Sequence, residues 1–447
     1  MRSAAVTSRQ RSAPASILQG VEALLRPLAV FRADLHRNPE LSGQERRTAE
    51  RLARWLGHAG CEVFTGVGGH GVVARLRNGE GPLVLLRAEL DALPVREETG
   101  LSYASTVTAA RPDGRVVPVA HACGHDIHMT CLAGTAELLA ANRASWRGTV
   151  LLVGQPAEET LTGAAAMLDD GLYQRFGVPD VALAQHVAPL PAGVVAHAPP
   201  GEPLTAAGAE LRIVIRGRGG HGGMPHLAVD PVVVAASVVL RLRAMAVQER
   251  RPGEHVVVTV GALHAGERAN VIPDSAVLEA IVRAPSLAAV DRVVEVARRV
   301  VEDECLAARC PDPPEFTVVT RVPAGISDPV AAARVRRAHL AVFGAGRVVE
   351  VPQGQASEDF PLFGADGRVP TVYWYVGSVP PAVWDRAPGA GPLEKLHSLP
   401  AAHSPKFSPD PVATLRAGIT ALAAGALAWL GTGPLGNGEI MSFGSLP

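Results

Sequence analysis

Residues 83–91 read Leu83-Val84-Leu85-Leu86-Arg87-Ala88-Glu89-Leu90-Asp91, an apolar run that turns abruptly charged. Such a run describes a strand buried on both faces. The carboxyl ends of such strands are where open α/β sheets place their sites. Two later stretches repeat the design. Thr149-Val150-Leu151-Leu152-Val153 leads into Gln155-Pro156-Ala157-Glu158-Glu159, and Val181-Ala182-Leu183-Ala184 ends at His186. Three buried strands ending in side chains able to bind a metal are the feature from which the rest of the reading proceeds. Gly71–Leu76 supplies a further strand.

Helices are expected around these strands. Residues 17–60 are read as helices, with Leu35, Leu52, Trp55 and Leu56 as the apolar face. Asp126 is positioned to cap a helix beginning near Ile127, in which Met129, Leu132, Ala136 and Leu139 follow helical spacing. After a Pro/Gly-rich stretch, 189–208, the pattern changes. Leu211–Arg216 roughly alternates, a helix is expected from Pro231 to about Met245, strands at 255–261 and 276–283, and a helix at 287–304. This βαββα order predicts a small α+β domain with an antiparallel sheet, inserted in the larger one. The expected division is 17–206 and 322–430 for the large domain, 207–321 for the insertion, and a flexible tail at 431–447.

With 447 residues the chain is too long for a single core. Its 42 basic and 43 acidic residues leave no positive excess for nucleic acid. The N-terminus has arginines but no apolar segment behind them, so no secretory signal is read. No run approaches 18 uninterrupted apolar residues, and Ile419–Leu430 reads as a buried helix, so no membrane partner is expected. Five scattered cysteines argue against a disulfide framework and for a cytoplasmic protein.

The chemistry-bearing residues fall in short runs. His121-Ala122-Cys123-Gly124-His125-Asp126 offers a thiolate and an imidazole two residues apart, ligands suited to Zn, Co, Ni or Mn; a redox or structural cysteine is the alternative. Glu158 and Glu159 can divide metal binding and proton transfer, or be a solvated pair at a helix start. His186 alone could equally be a core histidine, and His397 and His403 surface ones. Gly217-Arg218-Gly219-Gly220-His221-Gly222-Gly223-Met224-Pro225-His226 lacks the endings of phosphate loops. Its glycines suit a backbone that approaches something closely, or a hairpin turn. Tyr373-Trp374-Tyr375 reads as pocket surface or a core strand.

Taken in order, these runs resemble the M20 metallopeptidase family, in the amidohydrolase branch of hippurate hydrolases, aminoacylases and indole-acetyl-amino-acid hydrolases. The likeness covers roughly residues 28–430. Arg87–Pro94, the HACGHD run, Gln155–Glu159, the glycine-rich run with Val229-Asp230-Pro231, Asn270–Asp274, Ser357-Glu358-Asp359-Phe360 and His403-Ser404-Pro405 carry it. The resemblance implies a large catalytic domain whose central mixed sheet is flanked by helices, and a small α+β lid or dimerisation domain. It implies two divalent ions on Cys123, His125, Glu159, His186 and His403, with Glu158 as general base and Asp91 orienting a ligand. His221 would act on the oxyanion from a partner subunit of a homodimer or dimer-based oligomer. Asn270 and Arg283 would bind the substrate carboxylate or the tetrahedral oxygen. His403 is preferred over His397 because it stands in a His-Ser-Pro followed by Phe407. The expected reaction is hydrolysis of an N-acyl amino acid. A dipeptidase or carboxypeptidase, a metal-dead binding protein, and a cysteine hydrolase using Cys123 and His125 are the rivals. The sequence departs from the family at a long 106–120 segment, at Gln185 and at Ala188, changes expected to reshape the acyl pocket.

Overall fold

The computed structural model describes residues 20–432 apart from 112, 113 and 366. The expected tail beyond Thr432 and residues 1–19 lie outside the described residues. The chain divides into two compact units. The first holds residues 20–201, Ser327–Val351 and 363–432; the second holds Glu202–Ile326 and Pro352–Leu362.

In the first unit the strands form an eight-stranded mixed sheet. Its order is Glu62–Val67, Gly71–Asn78, Gly148–Gln155, Leu83–Glu89, Val181–Pro191, Thr371–Val379, Val195–His197 and Val348–Glu350. The four middle strands run parallel. They are the continuous apolar runs, and the reason is visible in their burial. Val84, Leu86, Val150, Leu152 and Leu183 enter one large core, while Leu85, Leu151 and Ala182, on alternate positions, are equally buried. Helices Val21–Arg37, Arg46–His58, His125–Ala141 and Pro411–Leu430 contribute to that core. Pro411–Leu430 is long and apolar enough to cross a membrane, but most of it is buried here. The expected α/β class is met.

The second unit carries a four-stranded antiparallel sheet, ordered Val257–Ala265, Ser275–Ala284, Ala207–Arg216 and Glu315–Val322. Helices Pro231–Gln248 and Leu287–Ala307 share a core with it. The fourth strand was not expected. Its residues are mostly exposed at a sheet edge, so no clear period marks it. Residues 352–362 join this unit through Ala206 N–H to Ala356 O, 2.8 Å, and Gly354 N–H to Leu204 O, 2.9 Å. Three long helices start at an Asp-Pro pair, where the aspartate accepts from an early backbone N–H and proline takes the first turn: Asp230, Asp328 and Asp410.

The helices expected over 17–60 are Val21–Arg37 and Arg46–His58, separated by residues 38–45. One local expectation is corrected. Asp126 does not cap its helix: it lies inside His125–Ala141, and its carboxylate accepts from Arg32 Nε at 2.8 Å and His36 Nδ1 at 2.9 Å. Although burial alone would raise Asp126, Arg32 and His36 hold it ionised. Gly124 takes the cap position at φ +86°, where a Cβ would lie 2.5 Å from Val187 Cγ2. Only glycine fits that approach. The aromatic run Tyr373-Trp374-Tyr375 is a central strand, with Trp374 fully buried.

Candidate metal centre

Parallel pairing brings the three charged strand ends together. Glu89 stands opposite Gln155, so Asp91 and the Glu158-Glu159 pair emerge at one edge. The strand carrying His186 continues to Pro191, five residues further than its apolar run suggested. Its pairing with Leu83–Glu89 nevertheless stops at Ala184, leaving His186 beyond the shared ladder. His125 opens the helix that follows the HACGHD run.

The donor atoms converge. Cys123, His125 and His186 form one group whose ligand atoms all lie within 4.8 Å of one another. His125 with Glu158 and Glu159 forms a second, and Cys123 with Glu159 and His403 a third. Cys123 Sγ is 3.4 Å from His186 Nε2, and His403 Nε2 is 3.4 Å from Glu159 Oε2. His403 reaches this place from a left-handed backbone, φ +70°, with its N–H on Ala122 O at 2.8 Å. His397 is exposed in a short helix, Pro392–Ser398.

The tautomers follow from the neighbours. His125 Nδ1 lies 2.9 Å from Asp91 O, which can only accept, so Nδ1 carries the proton. His125 Nε2 is buried, facing Glu158 Oε2 at 3.7 Å and Glu159 Oε1 at 3.9 Å, with no hydrogen-bond partner among the described residues. His186 Nδ1 likewise donates to Val187 O at 2.7 Å, turning Nε2 to the thiol. An orphaned buried nitrogen beside carboxylates and a thiol fits a soft or borderline cation.

Charge gives the same answer. Glu89, Asp91, Glu158 and Glu159 crowd this pocket with Arg87, which bonds Glu89. Burial, then Glu159, Glu158 and Glu89, push the Cys123 thiol well above its usual range. Burial would neutralise His125, but its bond to Asp91 and the nearby carboxylates hold it up at about 10. Burial and then His128 keep His186 neutral. Protons thus occupy sites that a divalent ion can take over.

Two residues here escaped the sequence reading. His128 completes a donor group with Glu89 and His125. Its Nδ1 faces Glu89 Oε2 at 2.6 Å and its Nε2 accepts from Val187 N–H at 2.9 Å. Both nitrogens are committed to the protein, so His128 is no ligand despite its company. Its spacing three residues after His125 is a signal the sequence did contain. Glu45 is the other. Burial and then the Asp91 charge push it up to about 7.

Gln185 is buried. Its Nε2 donates to Gly418 O at 3.0 Å and its Oε1 accepts from Trp374 Nε1 at 3.2 Å, a buried link between two strands and a helix. Ala188 is buried, its carbonyl bonded by Ser378 Oγ. The 106–120 segment forms the hairpin Thr108–Ala110 and Val116–Pro118.

His221, Asn270 and Arg283 belong to the second unit. His221 and Asn270 share a small ribbon, where Gly220–His221 pairs with Val271–Ile272 and Gly222 N–H bonds Asn270 O at 2.9 Å. Asp274, beside the start of the strand Ser275–Ala284, ties down the same ribbon through Gly219 N–H at 2.9 Å. Arg283 stands at the other end of that ten-residue strand, on the order of 30 Å long at about 3.3 Å per residue. Within one chain it does not meet the other two.

Comparison with known proteins bears on this geometry. Residues 85–390 match the model of peptidase family M20/M25/M40. The N-acetylcysteine deacetylase of Bacillus subtilis is 34% identical over 352 residues, covering 78% of this chain and 87% of its own. Thermostable carboxypeptidase 2 of Saccharolobus solfataricus is 32% identical over 356 residues, covering 78% and 85%. The crystal structure of the Bacillus subtilis YXEP protein, described as a dinuclear metal-binding peptidase of the M20 family, superposes with a TM-score of 0.64. It is 29% identical and covers 91% of this chain and 99% of that one.

Proposed function

The chain belongs to peptidase family M20/M25/M40 and is a metal-dependent amidohydrolase, and from that premise we propose that it cleaves the amide bond of N-acyl amino acids at a dinuclear centre. The observation that carries the reading is the buried His125 Nε2, without a hydrogen-bond partner among the described residues, amid Cys123, His186, Glu158 and Glu159.

Cys123, His125, Glu159, His186 and His403 would hold two divalent ions. When bound, these supply Lewis-acid polarisation of the scissile carbonyl and acidify the attacking water. Asp91 fixes the His125 tautomer through its carbonyl and carboxylate. Glu158 takes the water's proton and hands it to the leaving amine. By resemblance, His221 stabilises the oxyanion from a partner subunit. Asn270, on the same ribbon, is assigned with it, and Arg283, at the far end of the strand, is assigned to the substrate carboxylate.

A homodimer is part of this reading. Val233, Leu240 and Val247 are exposed at seven-residue spacing on the helix Pro231–Gln248. Such a stripe is self-complementary across a two-fold axis. A reducing cytoplasm is supported by five free cysteines.

The test is a panel of N-acetyl, N-benzoyl and indole-acetyl amino acids and dipeptides, before and after chelation, with Mn, Zn, Co or Ni restored. Metal-restored cleavage of the N-acyl compounds is expected. Dipeptides cleaved in their place would install the carboxypeptidase reading, which the Saccharolobus relative favours. Activity that survives chelation would overturn the metal assignment. Mixed dimers of His221→Ala and Glu158→Gln chains are expected to regain activity if His221 acts across the interface.

A further inference from the structure

We propose that Glu45 is a positioning residue, holding the Ala157 peptide in its left-handed conformation and so aiming Glu158 and Glu159. The proposal rests on the reading of those two glutamates as base and ligand.

The segment 40–45 has no helix, yet its polar groups engage what supports the site. Glu40 O accepts from Ala92 N–H at 2.8 Å, and Ser42 Oγ donates to Asp91 Oδ2 at 2.7 Å. Glu45 Oε1 accepts from Gly43 N–H at 2.7 Å and from Ala157 N–H at 2.8 Å. Glu45 occupies the cap position of the helix Arg46–His58, where a carboxylate ordinarily bonds the helix's own first N–H groups. It makes no such bond. The fully buried carboxylate is spent on a loop far along the chain.

That loop needs holding. Ala157 sits at φ +50°, a region costly for a residue with a Cβ. Its carbonyl accepts from Thr162 and Gly163 N–H at 3.2 and 3.1 Å. A Cβ at Gly163 would lie 1.6 Å from Pro156 O, so the loop is closed tightly on itself. On the other side, Glu159 N–H is held by Asp91 Oδ2 at 2.9 Å. Glu158 therefore stands between two backbone groups, each pinned by a buried carboxylate. Without Glu45 the N–H of the half-buried Ala157 loses this partner, and the strained turn loses the bond that over-determines it.

The experiment compares Glu45→Ala, Glu45→Gln and Ala157→Gly, with the double variant E45A/A157G, in the full-length chain. Metal affinity is read by titration of the apo-protein with Mn or Co, alongside kcat and KM. Removing a supporting bond is expected to lower kcat and metal affinity by roughly 10- to 100-fold, with KM nearly unchanged. Gln retains an oxygen that can take both N–H groups and is expected to recover most of the loss. Glycine enters the left-handed region without steric penalty, so A157G is expected to restore several-fold to the E45A background. Glu45→Met, close in volume and without an acceptor, stands in should E45A not fold. Metal affinity and kcat within twofold of wild type in E45A or E45M would overturn the proposal. So would equal losses in E45Q and E45A with no gain from A157G. Glu158→Gln run in parallel separates the two readings: if it is active, the base assignment falls, while the metal titration still reports on Glu159.

Discussion

His197 and His339 lie in the same unit as the histidines of the candidate metal centre and differ from them in how the second ring nitrogen is used. His197 and His339 lie 3.0 Å apart, Nε2 to Nδ1, with His339 Nε2 donating to Ala421 O at 2.9 Å. The carbonyl fixes the His339 tautomer, so its Nδ1 must accept from His197. Trp374 packs edge-on to His339. At the strand ends, His125 and His186 each spend Nδ1 on a backbone carbonyl and turn Nε2 towards carboxylates or a thiol. Residue type is the same in both groups, and all but the half-buried His186 are buried. The difference lies in whether the protein itself uses the second nitrogen. His128 sharpens the point, since it touches the ligand candidates yet has both nitrogens engaged.

The comparison can be broken most forcefully at the base. Glu158→Gln is expected to lower kcat roughly 10²- to 10⁴-fold while metal content stays at wild type. Near-normal turnover would remove Glu158 from the mechanism. Next, His125→Ala is expected to lose tight metal binding, whereas His339→Ala keeps it and loses stability. The latter leaves His197 and Ala421 O unmatched beside a cavity, a loss of about 2–4 kcal/mol. Calorimetric metal titration and urea unfolding of both variants would expose a reversed pattern.

The pH dependence separates the groups with a smaller effect. At the strand ends Cys123 is held protonated and His125 sits at about 10, so metal must displace protons. Metal affinity is expected to rise about tenfold per pH unit for each proton released between pH 6 and 8. An affinity flat across that range would assign the metal to other donors. Burial instead lowers His197 to about 2 and His339 to about 4. Their unfolded counterparts titrate near 6.5, so the stability from these neutral rings is complete above 6.5 and falls as pH drops towards 4. Each histidine contributes up to about 1.4 kcal/mol per unit. His36 has the opposite sign: raised to about 9, its contribution is complete below 6.5 and is lost as pH rises through 9. Urea midpoints constant between pH 6.5 and 5 would mean the His197–His339 pair does not resist protonation.

Much of this was legible in the chain because a buried parallel strand must be apolar on both faces. Leu83–Leu86, Val150–Val153 and Val181–Ala184 announce themselves, and charge at their ends announces an edge. The rough alternation at Leu211–Arg216 was readable for the same reason, with Leu211, Ile213 and Ile215 buried and Arg212 and Arg216 exposed. Where burial is one-sided and weak, as at Glu315–Val322, no period survived to be read.

Residue type and order by themselves determined which side chains were available: a thiol, histidines and paired glutamates at strand ends, within a pattern resembling one family. Tertiary structure alone decided what each does. Asp126, next to His125, binds Arg32 and His36; Gln185, next to His186, ties the core to Gly418; Glu45, distant in sequence, holds Ala157. A hydrogen bond depends on distance and direction in space, and sequence separation carries neither. Local pattern could therefore name donors and acceptors, while only the folded chain could show which nitrogen was left for a metal.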